Sequence, residues 1–236
     1  MLLAIDSSTD TAGLALWHQG AIVADLAWHT AQNQTRELLP NVVHLLKLAG
    51  ADMKDLTGLV VARGPGSYNG LRAGMATAKG LALALELPLV GIGTLEAEAL
   101  PYAESGLPIR PIQEAGRGEL ATALYRLSRG RWRQLEEECL STLEALCSEV
   151  RHRTLFCGAL SFKVADQLRE RLGRLAVLPA SPPLRRAGYL AELGRRRLEA
   201  GDRDAPAALQ PLYLRKPPIT QPKVKYNLPE EKTLAP

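Results

Sequence analysis

Two stretches of this chain combine residue types that could handle a phosphate. The first runs from Gly64 to Gly74 as Gly-Pro-Gly-Ser-Tyr-Asn-Gly-Leu-Arg-Ala-Gly, after the apolar run Leu59-Val60-Val61-Ala62 and before small and apolar residues ending near Glu86. A strand, a glycine-rich turn and a helix can aim backbone N–H groups at an anion. Gly64, Gly66 and Gly70 supply the angles and close approaches that side chains resist. The second stretch, Asp6-Ser7-Ser8-Thr9, ends the first apolar run with a carboxylate and hydroxyls. Spacing excludes three familiar chemistries. A Walker A loop ends in Gly-Lys-Ser/Thr, but Gly70 precedes Leu71 and the next lysine is Lys79. A dinucleotide fingerprint needs a third glycine where Asn69 stands. A nucleophile elbow needs glycine two residues before serine, and Ser67 has Pro65 there. A tight strand-to-helix turn without a ligand remains the alternative.

The 236 residues, 46% hydrophobic and 23% charged, suit one large or two small globular domains. Lys79 and Glu86 interrupt the longest apolar candidate, so no membrane span is expected. Met1 to Asp6 reads as a first strand, not a signal peptide, and a cytoplasmic location follows as the expectation. Cys139, Cys147 and Cys157 lack C-x-x-C spacing, and the histidines form no local pair, so neither a disulfide framework nor a zinc site is expected. The net charge of +4 is a mild excess. Its densest runs, Arg195-Arg196-Arg197 and Arg129 to Arg133, read as a solvated helix face and a hairpin turn.

Strands are expected at Leu2 to Asp6, Gly13 to Trp17 and Ala21 to His29. A helix capped at Asn33 or Thr35 runs to Ala49, either starting near Leu38 or bending at Pro40. Leu59 to Ala62 returns as a strand, followed by a helix over Tyr68 to Glu86 and a strand at Leu89 to Ile92. That order matches the actin-like, ribonuclease-H-like unit, an α/β fold of two domains with mixed sheets. Residues 1–100 would form the first domain, 101–215 a smaller α/β domain and 216–236 a proline-rich flexible tail. In the second part, Thr94 caps a helix to Glu104 and Pro108 to Gly118 carries turns. A hairpin crosses Arg129-Gly130, and Ser141 with Glu144 forms a capping box. A strand at Arg153 to Cys157 and a helix from Ser161 to Leu172 follow. Pro182-Pro183 precedes a last helix to Ala200.

Several of these stretches together resemble the TsaB (YeaZ) family, accessory subunits of bacterial tRNA threonylcarbamoyladenosine (t6A) synthesis. They are Leu3 to Thr9, Thr35 to Pro40, Gly64 to Gly74, Lys79 to Ala82, Gly91 to Glu96 and Pro211 to Arg215. The family's Asp-Ala-Arg-x-Gly-Glu run is altered here to Glu114-Ala115-Gly116-Arg117-Gly118-Glu119. The resemblance implies a non-catalytic partner of the TsaD transferase. TsaD carries two metal-binding histidines four residues apart where this chain has Thr94 and Glu98. It also implies TsaE, an ATPase, docking on the TsaB–TsaD dimer, TsaC supplying the adenylate, tRNA reached through the complex, and a homodimer when alone. No cofactor of its own is implied, with ATP/ADP and metal entering through the partners.

The helix pair carries more apolar surface than one sheet needs. Leu38, Val42, Leu45 and Ala49 form one stripe, and Leu39, Val43 and Leu46 a second. The resemblance places the partner on this pair, and the interface residues expected are Leu39, Val43, Leu46, Leu71, Met75, Ala78 and Ala82. A weak nucleotide site at most is expected at Asp6, Ser7, Ser8, Thr9, Gly64, Gly66 and Ser67. The competing class is an actin-fold, nucleotide-dependent small-molecule kinase, for which Asp6 is the one well-placed acid.

Overall fold

The computed structural model describes residues 1–30, 33–180 and 187–215. Two five-stranded mixed sheets form its frame. The first contains β1 (Leu2–Asp6), β2 (Thr11–His18), β3 (Ala21–His29), β4 (Gly58–Gly64) and β5 (Leu89–Gly93), in the order β3-β2-β1-β4-β5. β1 pairs antiparallel with β2, Leu3 across from Leu16, and parallel with β4, Leu3 beside Leu59. Helix α1 (Gln34–Leu48) connects β3 to β4, and α2 (Tyr68–Ala84) connects β4 to β5. This is the expected actin-like order of three antiparallel strands extended by two helix-linked parallel ones.

Alternation along β1 sorts the core. Leu3 and Ile5 face α1 and α2, packing with Leu38, Val42, Leu45 and Met75. Leu2 and Ala4 face the other way and pack with Leu190, Ala191 and Leu193 of α6 (Ala187–Glu199). All of β1 is buried because helices cover both faces. Residues 187–199, expected in the second domain, therefore complete the first. The chain beyond α6 stays there too: Asp204 N–H donates to the Leu89 carbonyl at 2.8 Å, and Leu212 N–H to that of Arg63 at 2.6 Å.

Helix α1 does not start near Leu38; it begins at Gln34 and carries Pro40 inside it. The N–H that Pro40 lacks would have met the Arg36 carbonyl, on an exposed turn where water can serve it. Helix α3 (Thr94–Ala99) is shorter than expected, because at Pro101 the chain tightens into a 3-10 turn over Leu100–Ser105.

The second sheet has the order β10-β9-β6-β7-β8. Its members are β6 (Ile109–Glu114), β7 (Glu119–Ser128), β8 (Arg131–Thr142), β9 (Thr154–Ala159) and β10 (Ala176–Val177). Strand β6 corrects the expectation of turns from Pro108 to Gly118. Ile109 and Ile112 are fully buried, and Pro111 sits where the ladder to β7 skips from Ile109 to Ile112. The Thr122 hydroxyl donates to the Pro111 carbonyl at 2.9 Å, so the interruption is satisfied. The β7–β8 turn holds Arg129 and Gly130 at φ 51° and 71°, the left-handed pair a two-residue hairpin favours. Helix α4 (Leu143–Glu149) is capped by Thr142, not Ser141, through a 3.2 Å bond from Ala145 N–H. Helix α5 (Phe162–Leu172) begins one residue after the expected Ser161, which caps it. Pro182-Pro183 and the proline-rich tail lie outside the described residues. Among those described, no helix is long and apolar enough to cross a membrane.

Candidate functional site: the glycine turn and the paired helices

The end of β1 and the glycine turn are pressed together. Asp6 is buried, and its Oδ1 accepts from both the Ser8 hydroxyl, at 2.7 Å, and the Ser8 N–H, at 3.1 Å. That bond pattern folds Asp6 to Ser8 into a compact acidic turn. The Ser8 carbonyl then accepts from Ser67 N–H at 2.7 Å, and the Ser7 hydroxyl donates to the Gly70 carbonyl at 2.8 Å. Thr9, the last member of the set, is half-buried and donates to Thr11 O at 3.0 Å.

The glycines face this turn. A Cβ on Gly66 would overlap Ser8, one on Gly70 the Ser7 carbonyl, and one on Gly74 the Ser7 hydroxyl. At Gly64, φ is +113° and the Leu212 carbonyl lies 2.8 Å from where a Cβ would be. Close packing of chain on chain therefore accounts for all four. The faces of Gly66, Gly70 and Gly74 are thus occupied by Ser7 and Ser8 of the chain itself.

Residues after α6 strap the turn from outside. Besides the Leu212 contacts, the Tyr213 ring lies 5.2 Å from that of Tyr68, at the start of α2, and Arg215 pairs with Glu119 of β7. The run Pro211 to Arg215 thereby ties the glycine turn to the second sheet.

Thr94 opens α3 with its hydroxyl fully buried and without a hydrogen-bond partner among the described residues. Glu98, one turn on, lies against β9, where the Cys157 thiol donates to its carbonyl at 3.5 Å. Burial, and then the nearby Glu98 charge, push the Cys157 thiol well above its ordinary range. Among the described residues, no three of histidine, cysteine, aspartate and glutamate gather as a metal site would require. The altered run keeps its hairpin: Glu114 accepts from Ser161 N–H at 3.0 Å, and Ala115 N–H donates to Glu119 O at 2.9 Å.

One junction escaped the sequence reading. Trp132 stacks on Tyr125 with centroids 5.6 Å apart, and its indole N–H donates to Glu96 of α3 at 3.2 Å. The Tyr125 hydroxyl reaches Glu138 at 3.4 Å. Burial raises the Glu96 carboxyl above its usual value, and the Trp132 bond partly offsets this. The signal available was Trp132 itself, a large ring in a hairpin otherwise full of arginine.

The outward faces of α1 and α2 correct part of the expected interface. Leu46, Leu71, Met75, Ala78 and Ala82 are buried in the chain's own core. Leu71, Met75, Ala78 and Ala82 recur at intervals of three and four on α2, and Leu46 stands four after Val42 on α1, so all five fall on inward faces. Leu39 and Val43 do face outward, 47% and 38% exposed, and Leu83 of α2 joins them at 69%.

Comparison with known proteins places this arrangement in a family. The chain is 32% identical to the tRNA threonylcarbamoyladenosine biosynthesis protein TsaB of Bacillus subtilis (strain 168) over 91% of its own length and 93% of that protein. The chain belongs to the TsaB family. Residues 28–172 also match the family model described as TsaD, tRNA N6-adenosine threonylcarbamoyltransferase. The TsaB of Escherichia coli (strain K12) is 34% identical over 59% of this chain and 61% of that protein. In structure, YeaZ from Pseudomonas aeruginosa superimposes with a TM-score of 0.76 at 25% identity, over 90% of this chain and 99% of that one. The ethanolamine utilization protein EutJ from Carboxydothermus hydrogenoformans, at 13% identity and a TM-score of 0.50, shares the fold. It covers 80% of this chain and 87% of its own. The TsaB assignment agrees with the sequence resemblance and with an actin-like fold of two α/β units.

Proposed function

We propose that this chain is the non-catalytic subunit of a t6A-forming assembly, which binds and supports the TsaD transferase. The family relatives named for threonylcarbamoyladenosine biosynthesis support the pathway. The accessory role is supported by Thr94 and Glu98, which replace the metal-binding histidines that the resemblance assigns to TsaD. TsaD transfers the threonylcarbamoyl group to the adenosine beside the anticodon, in tRNAs reading A-starting codons. TsaE docks on the heterodimer, and nucleotide and metal belong to the partners. The chain works in the cytoplasm and pairs with itself when TsaD is absent.

The observation that carries this reading is the exposed apolar surface on the paired helices: Leu39 and Val43 of α1 with Leu83 of α2. Ala76 and Gly80 of α2 are exposed at helical spacing from Leu83, small enough for a partner backbone to approach closely. A partner buries such a patch; solvent gives it nothing. The test substitutes Leu39, Val43 and Leu83 singly by Arg and co-expresses each variant with the host's TsaD. At least one is expected to keep its thermal melt and circular dichroism while losing TsaD co-purification and tRNA modification together. A charge stranded in an interface centre costs several kcal/mol, or a few orders of magnitude in affinity. Retention of TsaD by all three folded variants would place the partner elsewhere.

A further inference from the structure

The second sheet has one strongly cationic end, which the accessory role leaves unexplained. A lateral row runs Leu155, Ile109, Tyr125, Gln134 across β9, β6, β7 and β8. The head of β9 and the tip of the β7–β8 hairpin therefore lie at the same end. On the hairpin, Arg126 stands directly across from Arg133, and Ser128 across from Arg131, so three guanidinium groups share one face. Arg129 caps the turn, and all four are exposed. Glu136, the next carboxylate along that face, is held by Arg110 at 2.7 Å. Among the described residues, the four hairpin arginines have no acidic partner. At the same end Arg151 and Arg153 precede β9, and Arg174 precedes β10; all are exposed. Against them the chain brings Glu104, ahead of β6, and Glu149, ahead of Arg151.

Like charges directly opposite one another weaken a strand pair. The hairpin is nonetheless held firmly, since its inner face carries the Tyr125–Trp132 stack and the Trp132–Glu96 bond. A rigid platform thus presents a charge pattern that folding does not reward. We propose that this end of the second sheet docks the phosphate backbone of a structured RNA. The width from β10 to β8 is four strand spacings, about 19 Å, enough for several successive phosphates of one strand. Every cation named is arginine, and no lysine occurs between Lys79 and Lys163. The guanidinium fork matches phosphate oxygens two at a time. Trp132, the aromatic ring of the hairpin turn region, is turned inward, so the contact reads the backbone and not the bases. A lipid surface would want apolar anchors at the tip, and Ser128, Arg129 and Gly130 offer none. That the RNA is the assembly's tRNA rests on the function proposed above; the surface chemistry does not.

The test uses the full chain, alone and with co-purified transferase, and an unmodified tRNA transcript reading an A-starting codon. Affinity is measured between 50 and 200 mM salt, ~50 and ~200 mM bracketing the range where phosphate contacts are most salt-sensitive. R126Q/R131Q/R133Q is compared with R195Q/R196Q/R203Q, a control with the same loss of formal charge. The hairpin variant is expected to bind at least about tenfold more weakly, with the log–log salt slope reduced by about 2, while the control stays near wild type. R133Q alone, with a slope change of about 1, replaces the triple variant if that fails to fold. Equal losses in variant and control would overturn the proposal, as would an unchanged slope or no RNA binding by the wild type in either form. So would a loss confined to phosphatidylglycerol vesicles or to transferase co-purification. Failure of the wild type to capture the transferase counts against the accessory function instead, because the RNA measurement on the chain alone still stands.

Discussion

The first sheet is covered on both faces, and the two covers differ in what they show to solvent. Helix α6 turns Leu190, Ala191 and Leu193 inward and a charged network outward. Glu192 accepts from Arg195 at 3.0 Å and Arg196 at 2.8 Å, and Arg195 also pairs with Glu199. Arg197 reaches Asp202 at 2.7 Å and Asp204 at 3.1 Å. Helices α1 and α2 bury equally apolar inner faces, but their outer faces carry Leu39, Val43, Ala76, Gly80 and Leu83. One cover is finished toward water, with its charges paired along the helix and with the aspartates just after it. On the other, exposed Arg36, Lys47 and Arg72 stand beside apolar and small side chains that no element of the described chain covers, the surface expected where a second protein completes the layer.

The contrast between inner and outer positions on α1 gives the largest expected effect. Leu46 is 2% exposed, so Leu46→Arg places an unpaired charge in the core. That costs about 3–5 kcal/mol, a large share of a native stability of about 5–15 kcal/mol. The variant should be unfolded or melt far below wild type by circular dichroism. Leu39→Arg, on the outer face, should melt within about 0.5 kcal/mol of wild type. Equal melts for the two would mean that the inner and outer faces of α1 have been assigned wrongly.

Glycines on α2 sharpen the same division. Gly70→Ala forces a Cβ against the Ser7 carbonyl, whereas nothing lies within 4 Å of a Cβ added at Gly80. Overpacking of this kind costs about 1–3 kcal/mol. On an exposed helical site, alanine is better than glycine by about 0.8–1 kcal/mol. Gly70→Ala is therefore expected to lower the melting temperature and Gly80→Ala to raise it. If Gly70→Ala keeps its melt but abolishes a measurable ATP affinity, the turn is a binding loop after all.

The sequence showed the strand order of the first sheet because its apolar runs were bounded by strong punctuation at Gly50, Gly64 and Gly93. It also showed that Gly64 to Gly74 was special, but not what the glycines approach. That depends on Ser7 and Ser8, about sixty positions away, which local spacing cannot reveal. Strand β6 was hidden by Pro108 and Pro111, turn residues whose consequences here are absorbed by a skipped ladder position and the Thr122 hydroxyl. Likewise, two apolar stripes on α1 were visible, yet Leu46 fell on the wrong one. A helix of 3.6 residues per turn separates Leu45 and Leu46 by about 100°, so both can reach a concave core. The return of α6 to the first sheet was out of reach of any local pattern.

The smallest expected effect tests the finished face. Its hydrogen bond from Arg195, reinforced by that from Arg196, lowers the Glu192 carboxyl below its ordinary value of 4.5. A depressed acid contributes stability above its unfolded pKa, and that contribution is lost as pH falls through the folded value. Such part-exposed pairs contribute about 0.2–1 kcal/mol, which for a chain of this size is a shift of at most about 4 °C. Glu192→Gln should therefore melt slightly below wild type at pH 7, with the gap closing under acid, below the ordinary carboxylate range. High salt should narrow it as well, since the pairs are partly open to solvent. Leu39→Gln, on the other cover, should show neither response, because leucine carries no charge to pair. If the Glu192→Gln gap persists unchanged in acid, the network is held by packing of the long side chains over α6, and the difference between the two faces is one of shape more than of charge.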